Sequence, residues 1–414
     1  MFEQGDDMKT FKTFLMAATA LSMTAGLALA DANGNSQYLD QGGDDNTATI
    51  VQSGDNNQAG ADGLYTRIDQ SGDGNTLKIT QSGDGNKAGA SSGGIDQKGS
   101  DDFLTINQSG NANTVINTGQ FGSGTSKMTI TQSSNDNRVG STVQDRAIPG
   151  GTTVIGENVM TITQKTGDGN NVDRAEQDGV ANKLVLLQDG SDNSIGAALQ
   201  GDFNNGGPDG SSNDNGAGFA IDNSTNGLMQ ITQKGNGHSV NLAGQSGDAN
   251  SLKINQSGSE QNVETAVQIG NSNIGNINQS GNENSASIDV LGDDNLTTII
   301  QTGSMSVGSI QVDGGINNNL MLEQQGSEQL AALNVIGGDN NIVKALQKGE
   351  LNSIDLTITG DLNKGDIRQD GCENDLIGVV SGNSNQFTTK QTGAGNSINF
   401  TQGGSNNTYN ATQG

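Results

Sequence analysis

The sequence predicts an all-β fold, a β-solenoid of stacked two-strand coils with about 22 residues per coil and two facing parallel sheets. Three observations support this prediction. A seven-residue strand pattern recurs along most of the chain, turns rich in Gly and Asn separate its copies, and no segment of helical length in residues 31–414 has an apolar period of about 3.6 residues.

The repeating unit is a short amphipathic strand, represented by the stretch from Asn75 to Gln81. Side chains alternate along a strand, so Leu77 and Ile79 fall on the same face. Asn75 and Gln81 lie at the two ends of that face. The unit therefore combines a thin apolar centre with an amide at each end.

The same pattern recurs after turns such as Ser71 to Asn75, which contain Gly, Asp and Asn. Gly, Asp and Asn adopt the backbone conformations of tight turns without strain. Stacked in register, equivalent amides lie above one another and satisfy each other's hydrogen bonds. We expect such ladders at the following positions: Asn75, Gln81, Asn182, Gln188, Asn250, Gln256, Asn273, Gln279, Asn396, Gln402, Asn407 and Gln413.

An antiparallel meander is the main alternative arrangement of these strands, since the turns are short enough for hairpins. A meander of this many strands would leave one broad apolar face uncovered. A coil with two strands per turn lays the two apolar faces against each other. Disorder, which low hydrophobicity and a net charge of −27 would otherwise favour, is opposed by the regular period.

Domain organisation follows from the repeat. Residues 31–414 are predicted to form a single solenoid with loop insertions at about 145–157 and 201–225, where the only two prolines, Pro149 and Pro208, occur. Residues 1–30 are predicted to be a signal peptide with a short upstream extension before Met8. Lys9 and Lys12 precede an apolar run that ends at an Ala-Leu-Ala cleavage signal. We expect a secreted chain without a transmembrane anchor.

Composition limits the possible partners and chemistry. With 19 basic and 46 acidic residues, the chain is not expected to bind nucleic acid. One histidine, His238, and one cysteine, Cys372, rule out a His-based triad within one chain and an internal disulfide. We predict no enzymatic activity and no cofactor or metal. Cys372 is interpreted as a tolerated turn residue, with an intermolecular disulfide as the alternative.

The ends of the predicted rod bear on function. The repeat pattern runs from Asn35 to Gln413, which leaves no room in this sequence for a capping unit. An uncapped stack whose last coil is similar to its first accepts another molecule as its next coil. We therefore expect head-to-tail self-association.

The Asn-x5-Gln-x-Gly-x-x-Asn frame, as in Asn75 to Gln81 followed by Ser82 to Asn86, resembles the curlin repeat of curli fibre subunits. The resemblance covers most of the chain after residue 30. It implies a bacterial functional amyloid that forms adhesive extracellular fibres in biofilm matrix, with inward Asn and Gln side chains guiding polymerisation. It further implies a nucleator subunit and an outer-membrane secretion channel as partners.

The sequence also allows functions other than fibre formation, and the main alternative is a monomeric solenoid. A monomeric surface adhesin or ligand-binding solenoid would use the two loop insertions. An ice-binding face is opposed by charged outward residues such as Lys78 and Lys253. Calcium binding is opposed because the repeat is about eleven residues and not the calcium-binding nonapeptide. A polysaccharide-cleaving β-helix would need clustered acids, and here they are spread through the turns.

Overall fold

The computed structural model describes residues 34–61, 67–89, 94–122, 125–145, 157–201 and 227–414. The predicted signal peptide and most of both predicted loop insertions lie outside the described residues. Within these ranges the chain forms short β-strands joined by tight turns, and no helix occurs in the described residues.

The first seventeen strands are β1 (Ser36–Gln37), β2 (Leu39–Gly42), β3 (Thr47–Ser53), β4 (Gln58–Ala59), β5 (Ile68–Ser71), β6 (Thr76–Ser82), β7 (Lys87–Ala88), β8 (Ile95–Gln97), β9 (Phe103–Ser109), β10 (Thr114–Phe121), β11 (Ser126–Gln132), β12 (Arg138–Asp145), β13 (Asn158–Gln164), β14 (Asn171–Asp178), β15 (Lys183–Asp189), β16 (Ser194–Gln200) and β17 (Leu228–Asn236). The next seventeen are β18 (Ser239–Ser246), β19 (Ser251–Ser259), β20 (Asn262–Ile269), β21 (Ile274–Asn282), β22 (Ser285–Asp293), β23 (Leu296–Ser304), β24 (Val307–Gly308), β25 (Ile310–Ile316), β26 (Asn319–Ser327), β27 (Leu330–Ile336), β28 (Ile342–Glu350), β29 (Ser353–Thr359), β30 (Ile367–Cys372), β31 (Asp375–Ser381), β32 (Gln386–Ala394), β33 (Ser397–Gly403) and β34 (Thr408–Gln413).

The chain passes back and forth between two parallel sheets, and at some coils two consecutive short strands belong to the same sheet. Sheet A has 19 described strands and begins with β1 and β2, and sheet B has 15 and begins with β3. Each strand of sheet B pairs with the strand of that sheet in the next coil, for example β19 with β21 and β21 with β23. In sheet A one coil is often represented by two short strands, such as β24 and β25. The predicted β-solenoid with two parallel sheets is therefore confirmed.

The coil length is regular in the second half of the chain and longer in the first. Equivalent glutamines lie 22 or 23 residues apart from Gln233 onward, for example 23 residues from Gln256 to Gln279. Near the N-terminus the corresponding spacings are 29 residues from Gln52 to Gln81 and 27 from Gln81 to Gln108. The predicted 22-residue coil thus holds best in residues 227–414.

The core follows the predicted alternation. In β6, Leu77 and Ile79 are fully buried, while Lys78 between them is exposed. The inward side chains of both sheets belong to one continuous apolar cluster. Since each coil contributes few apolar residues, the core is thin, and each coil depends on its neighbours for burial and for its backbone hydrogen bonds.

The turns bring backbones of neighbouring coils into close contact. Gly281 has a φ of +109°, and a Cβ at this position would collide with the carbonyl of Gly303 in the next coil. Only glycine combines this conformation with the absence of a side chain. The repeated Gly of each turn is therefore a requirement of stacking.

Aromatic side chains fill the core of the C-terminal coils. The rings of Phe400 and Tyr409 are stacked with centroids 4.5 Å apart, and Phe387 lies 5.8 Å from Phe400. Gly365 and Gly378 leave the space that these rings occupy, because a Cβ at either position would collide with a phenyl ring. The large rings and small residues compensate each other in volume.

Candidate functional site

One column of glutamines runs the described length of sheet B. In each coil the Gln Nε2 donates to the Oε1 of the Gln in the following coil, at 2.8–3.0 Å for every link except the last, which is 3.4 Å. We call this the sheet B Gln column. It consists of Gln52, Gln81, Gln108, Gln132, Gln164, Gln188, Gln233, Gln256, Gln279, Gln301, Gln324, Gln347, Gln369, Gln391 and Gln413.

Gln279 illustrates the bonding of one member. Its Nε2 donates to Oε1 of Gln301 at 2.9 Å and to the backbone carbonyl of Asn262 at 3.1 Å, and its Oε1 accepts from Nε2 of Gln256 at 3.0 Å. Gln279 is fully buried. Since an unpaired buried amide is costly, each glutamine depends on the glutamines above and below it.

Sheet A has a comparable column only in the first part of the chain. Amide-to-amide bonds link glutamines from Gln41 and Gln70 to Gln245 and Gln268. The next equivalent positions hold aliphatic residues, and the strand registers place them directly above one another. They are Val290, Val312, Val335, Ile358 and Val380, followed by Gln402.

The asparagines bond differently from the glutamines. Asn273 Oδ1 accepts from the backbone N–H of Asn295 at 3.0 Å, and its Nδ2 donates to the carbonyl of Gly292 at 2.6 Å. Its own backbone N–H donates to Oδ1 of Asn250 at 2.9 Å. An amide-to-amide bond is also present, from Asn295 Nδ2 to Asn273 Oδ1 at 3.2 Å. The expected Asn ladder is therefore present, but most partners of Asn273 are backbone groups of the turns. Each Asn lies just before its strand and fixes the turn of the next coil.

His238 occupies an asparagine position in sheet A. Its backbone N–H donates to Oδ1 of Asn193 at 3.1 Å, its Nδ1 accepts from the backbone N–H of Gln261 at 3.3 Å, and its Nε2 lies 3.1 Å from the carbonyl of Lys234. This set of partners requires a neutral ring with the proton on Nε2. Burial lowers the pKa of His238 and favours that neutral form.

The predicted ladder residues are divided between these columns. Gln81, Gln188, Gln256, Gln279 and Gln413 belong to the sheet B Gln column. Asn75, Asn182, Asn250, Asn273 and Asn407 precede the strands of the same sheet.

Asn396 and Gln402 lie instead in sheet A. Asn396 Nδ2 donates to Oδ1 of Asn374 at 2.9 Å. In sheet A, Gln402 lies next to Val380 of the preceding coil. Its buried Oε1 has no hydrogen-bond partner in the described part of the chain. Sequence reasoning missed this separation, although Val290 and Val380 in place of glutamine were visible in the repeat frame.

The described ranges contain no group of three or more His, Cys, Asp or Glu side chains arranged to hold a metal ion. Nor does this part of the chain contain a helix long and apolar enough to cross a membrane. The amide columns are the polar feature that recurs in coil after coil of the described residues.

The fold and its columns define a class, a β-solenoid held in register by stacked side-chain amides. Within that class, the family model described as the curlin-associated repeat matches residues 43–83 and 270–303. The first match includes β3 and β6, and the second includes β21. The chain therefore carries curlin-associated repeats, and the resemblance to the curlin-repeat family is confirmed. A search of curated proteins found no match.

Proposed function

We propose that this chain is a secreted structural subunit of extracellular curli-type fibres, which assemble by stacking the end coil of one copy on the first coil of the next. The fibres would serve adhesion and biofilm matrix, with a nucleator subunit and an outer-membrane channel as partners. The predicted signal peptide in residues 1–30 supports secretion, and the curlin-associated repeats support the fibre role.

One observation carries the proposal, the single direction of the sheet B Gln column. Every link donates towards the C-terminus, so Gln52 presents an acceptor oxygen at one end and Gln413 presents a donor nitrogen at the other. In the described residues neither of these two groups has an amide partner. A second copy in the same orientation would place the donor of Gln413 opposite the acceptor of Gln52.

The chain order supports the same register. The last two strands, β33 and β34, lie in sheets A and B, and the first coil supplies β2 and β3 to sheets A and B in that order. The frame would therefore continue from Gln402 and Gln413 to Gln41 and Gln52 of the next copy. Each end strand would then gain a backbone partner on its open edge.

The test is assembly of the chain without residues 1–30 after dilution from denaturant. We expect fibres in electron micrographs and a meridional reflection at about 4.7–4.8 Å. Gln413→Met should slow elongation, whereas Gln386→Met, on the exposed outward side of β32, should not. A folded monomer that persists at high concentration would refute the proposal and favour the monomeric adhesin.

A further inference from the structure

The outward faces of the two sheets carry opposite charge in the continuous stretch 227–414. On sheet A, the outward strand positions outside the turns hold five acidic residues and no Lys or Arg. These are Glu264, Asp289, Asp313, Asp355 and Asp375. We call these positions the acidic face.

The outward side of sheet B is basic in the same coils. Lys234 and Lys253 lie in β17 and β19. The densest group is formed by Lys344, Lys348, Lys364, Arg368 and Lys390. We call these seven residues, with the outward positions around them, the basic face.

Three carboxylates lie among the cations of the basic face, Glu323, Asp366 and Asp370. Asp366 pairs with Arg368 at 3.0 Å. The lysines at 344, 364 and 390 make no ion pair within the described part of the chain. The basic face therefore retains a net positive charge in a protein whose total charge is −27.

The two charged faces overlap in height at three coils, where Lys253, Lys344 and Arg368 of sheet B lie in the same coils as Glu264, Asp355 and Asp375 of sheet A, whereas the sheet B strands that precede Asp289 and Asp313 carry no Lys or Arg. Strand pairing places Arg368 between Leu346 and Lys390, so the dense basic group spans three successive coils, about 10 Å along the axis. Asp355 and Asp375 belong to β29 and β31, which follow β28 and β30 in these same coils. Two parallel rods without axial offset would therefore bring opposite charges together.

We propose that copies of this chain associate side by side, with the basic face of sheet B against the acidic face of sheet A of a neighbouring copy in parallel orientation. Each copy then has one face of each kind, so the association continues and builds a layer or bundle. This inference does not depend on end-to-end stacking, because it uses the sides of the rod.

The charge distribution favours a second copy over a different polyanion. Acidic turns such as those at Asp293, Glu328 and Asp361 border both sheets. An anionic polymer broader than the basic face would meet these carboxylates, whereas the flat acidic face of another copy has the same width and the same coil spacing. Long-range repulsion between turns thus directs contact to the faces.

The experiment uses two triple variants with reversed charge. The acidic-face variant is Glu264→Lys, Asp355→Lys and Asp375→Lys, and the basic-face variant is Lys344→Glu, Lys364→Glu and Lys390→Glu. The matched control, Glu283→Lys, Glu328→Lys and Glu373→Lys, changes net charge by the same amount as the acidic-face variant but at exposed turn residues. Circular dichroism checks that each variant folds.

Burial raises the pKa of Asp289 to about 6, although its side chain retains exposed surface, so measurements are made near pH 8, where it is ionised. Filament number per bundle is counted by electron microscopy, and single rods are followed by sedimentation if no filaments form. We expect the wild type and the turn control to bundle at low salt and to separate in about 1 M salt, where the Debye length is about 3 Å.

Each face variant alone should form single filaments or rods, because its two faces then carry net charge of the same sign. Mixing the two variants after assembly should restore bundles. Filament length reports end stacking separately from bundle width. The proposal is overturned if the wild type stays single at low salt, if mixing does not restore bundles, or if heparin binding requires the three lysines while the acidic-face variant still bundles.

Discussion

The sheet B Gln column can be tested with one substitution made at two places. Gln279→Met removes the donor to Gln301 Oε1, which is otherwise buried without a partner, while Gln256 Nε2 keeps the carbonyls of Ser239 and Gln261 at 3.0 and 3.1 Å. Methionine has nearly the same length and volume as glutamine, so the cavity term is small.

The expected cost is that of one orphaned buried acceptor, about 1–3 kcal/mol. Gln413→Met is the matched control, because Gln413 ends the column and its removal orphans no described acceptor. Its neighbour Gln391 still donates to the carbonyl of Asp375 at 2.8 Å. The interior and terminal variants thus separate folding from end stacking.

The assay is native-state hydrogen exchange by mass spectrometry, because a long repeat array does not unfold as a single cooperative unit. Amides of β21 and β23 should exchange about fivefold to 150-fold faster in Gln279→Met than in wild type. Gln413→Met should leave those amides unchanged. Equal protection of β21 and β23 in the Gln279→Met and wild-type chains would refute the role given to the ladder.

Three further predictions concern a buried histidine, a turn residue and the apolar column of sheet A. In the folded chain the pKa of His238 lies below its ordinary value of 6.5, so the unfolded chain binds the proton more readily. The stability of the coils around β18 should therefore fall as the pH decreases below about 6.5. Hydrogen exchange of β18 should show this pH dependence in the wild type and lose it in His238→Asn. Leu351 has a φ of +56°, so Leu351→Gly should stabilise its turn by about 0.5–1 kcal/mol, measured by hydrogen exchange of β28 and β29, whereas Ser353→Gly in the adjacent strand should destabilise it. Val335→Gln should cost about 1–3 kcal/mol because its amide oxygen finds no donor, and adding Val312→Gln in the preceding coil, whose Nε2 would donate to that oxygen, should recover part of the loss. Strictly additive effects would contradict the coupling.

Much of the fold was predictable from local pattern. The alternation in Asn75 to Gln81 specified which side chains are buried, and Leu77, Ile79 and Gln81 are indeed inward. This succeeded because alternation in a strand depends only on backbone geometry. The repeat then required similar coils to stack, since no single coil buries enough apolar surface alone.

The partners of individual side chains were less predictable. The Asn-x5-Gln frame treats its two amides alike, yet Gln279 bonds to glutamines and Asn273 bonds mainly to backbone groups. Asparagine lies beside the turn, where backbone N–H and C=O groups bond to its amide in addition to the amide of the equivalent asparagine. His238 at an asparagine position also has partners that depend on three separate coils.

The sequence by itself determined the strand, its buried face and the approximate coil length, because these follow from short-range periodicity. The tertiary structure decided which residues lie above one another. Only the register shows that the sheet B Gln column is unbroken from Gln52 to Gln413, while Val290 to Val380 form an apolar column in sheet A. Coils of 22 to 45 residues separate these neighbours in sequence, and their contact exists only once the parallel sheets have formed.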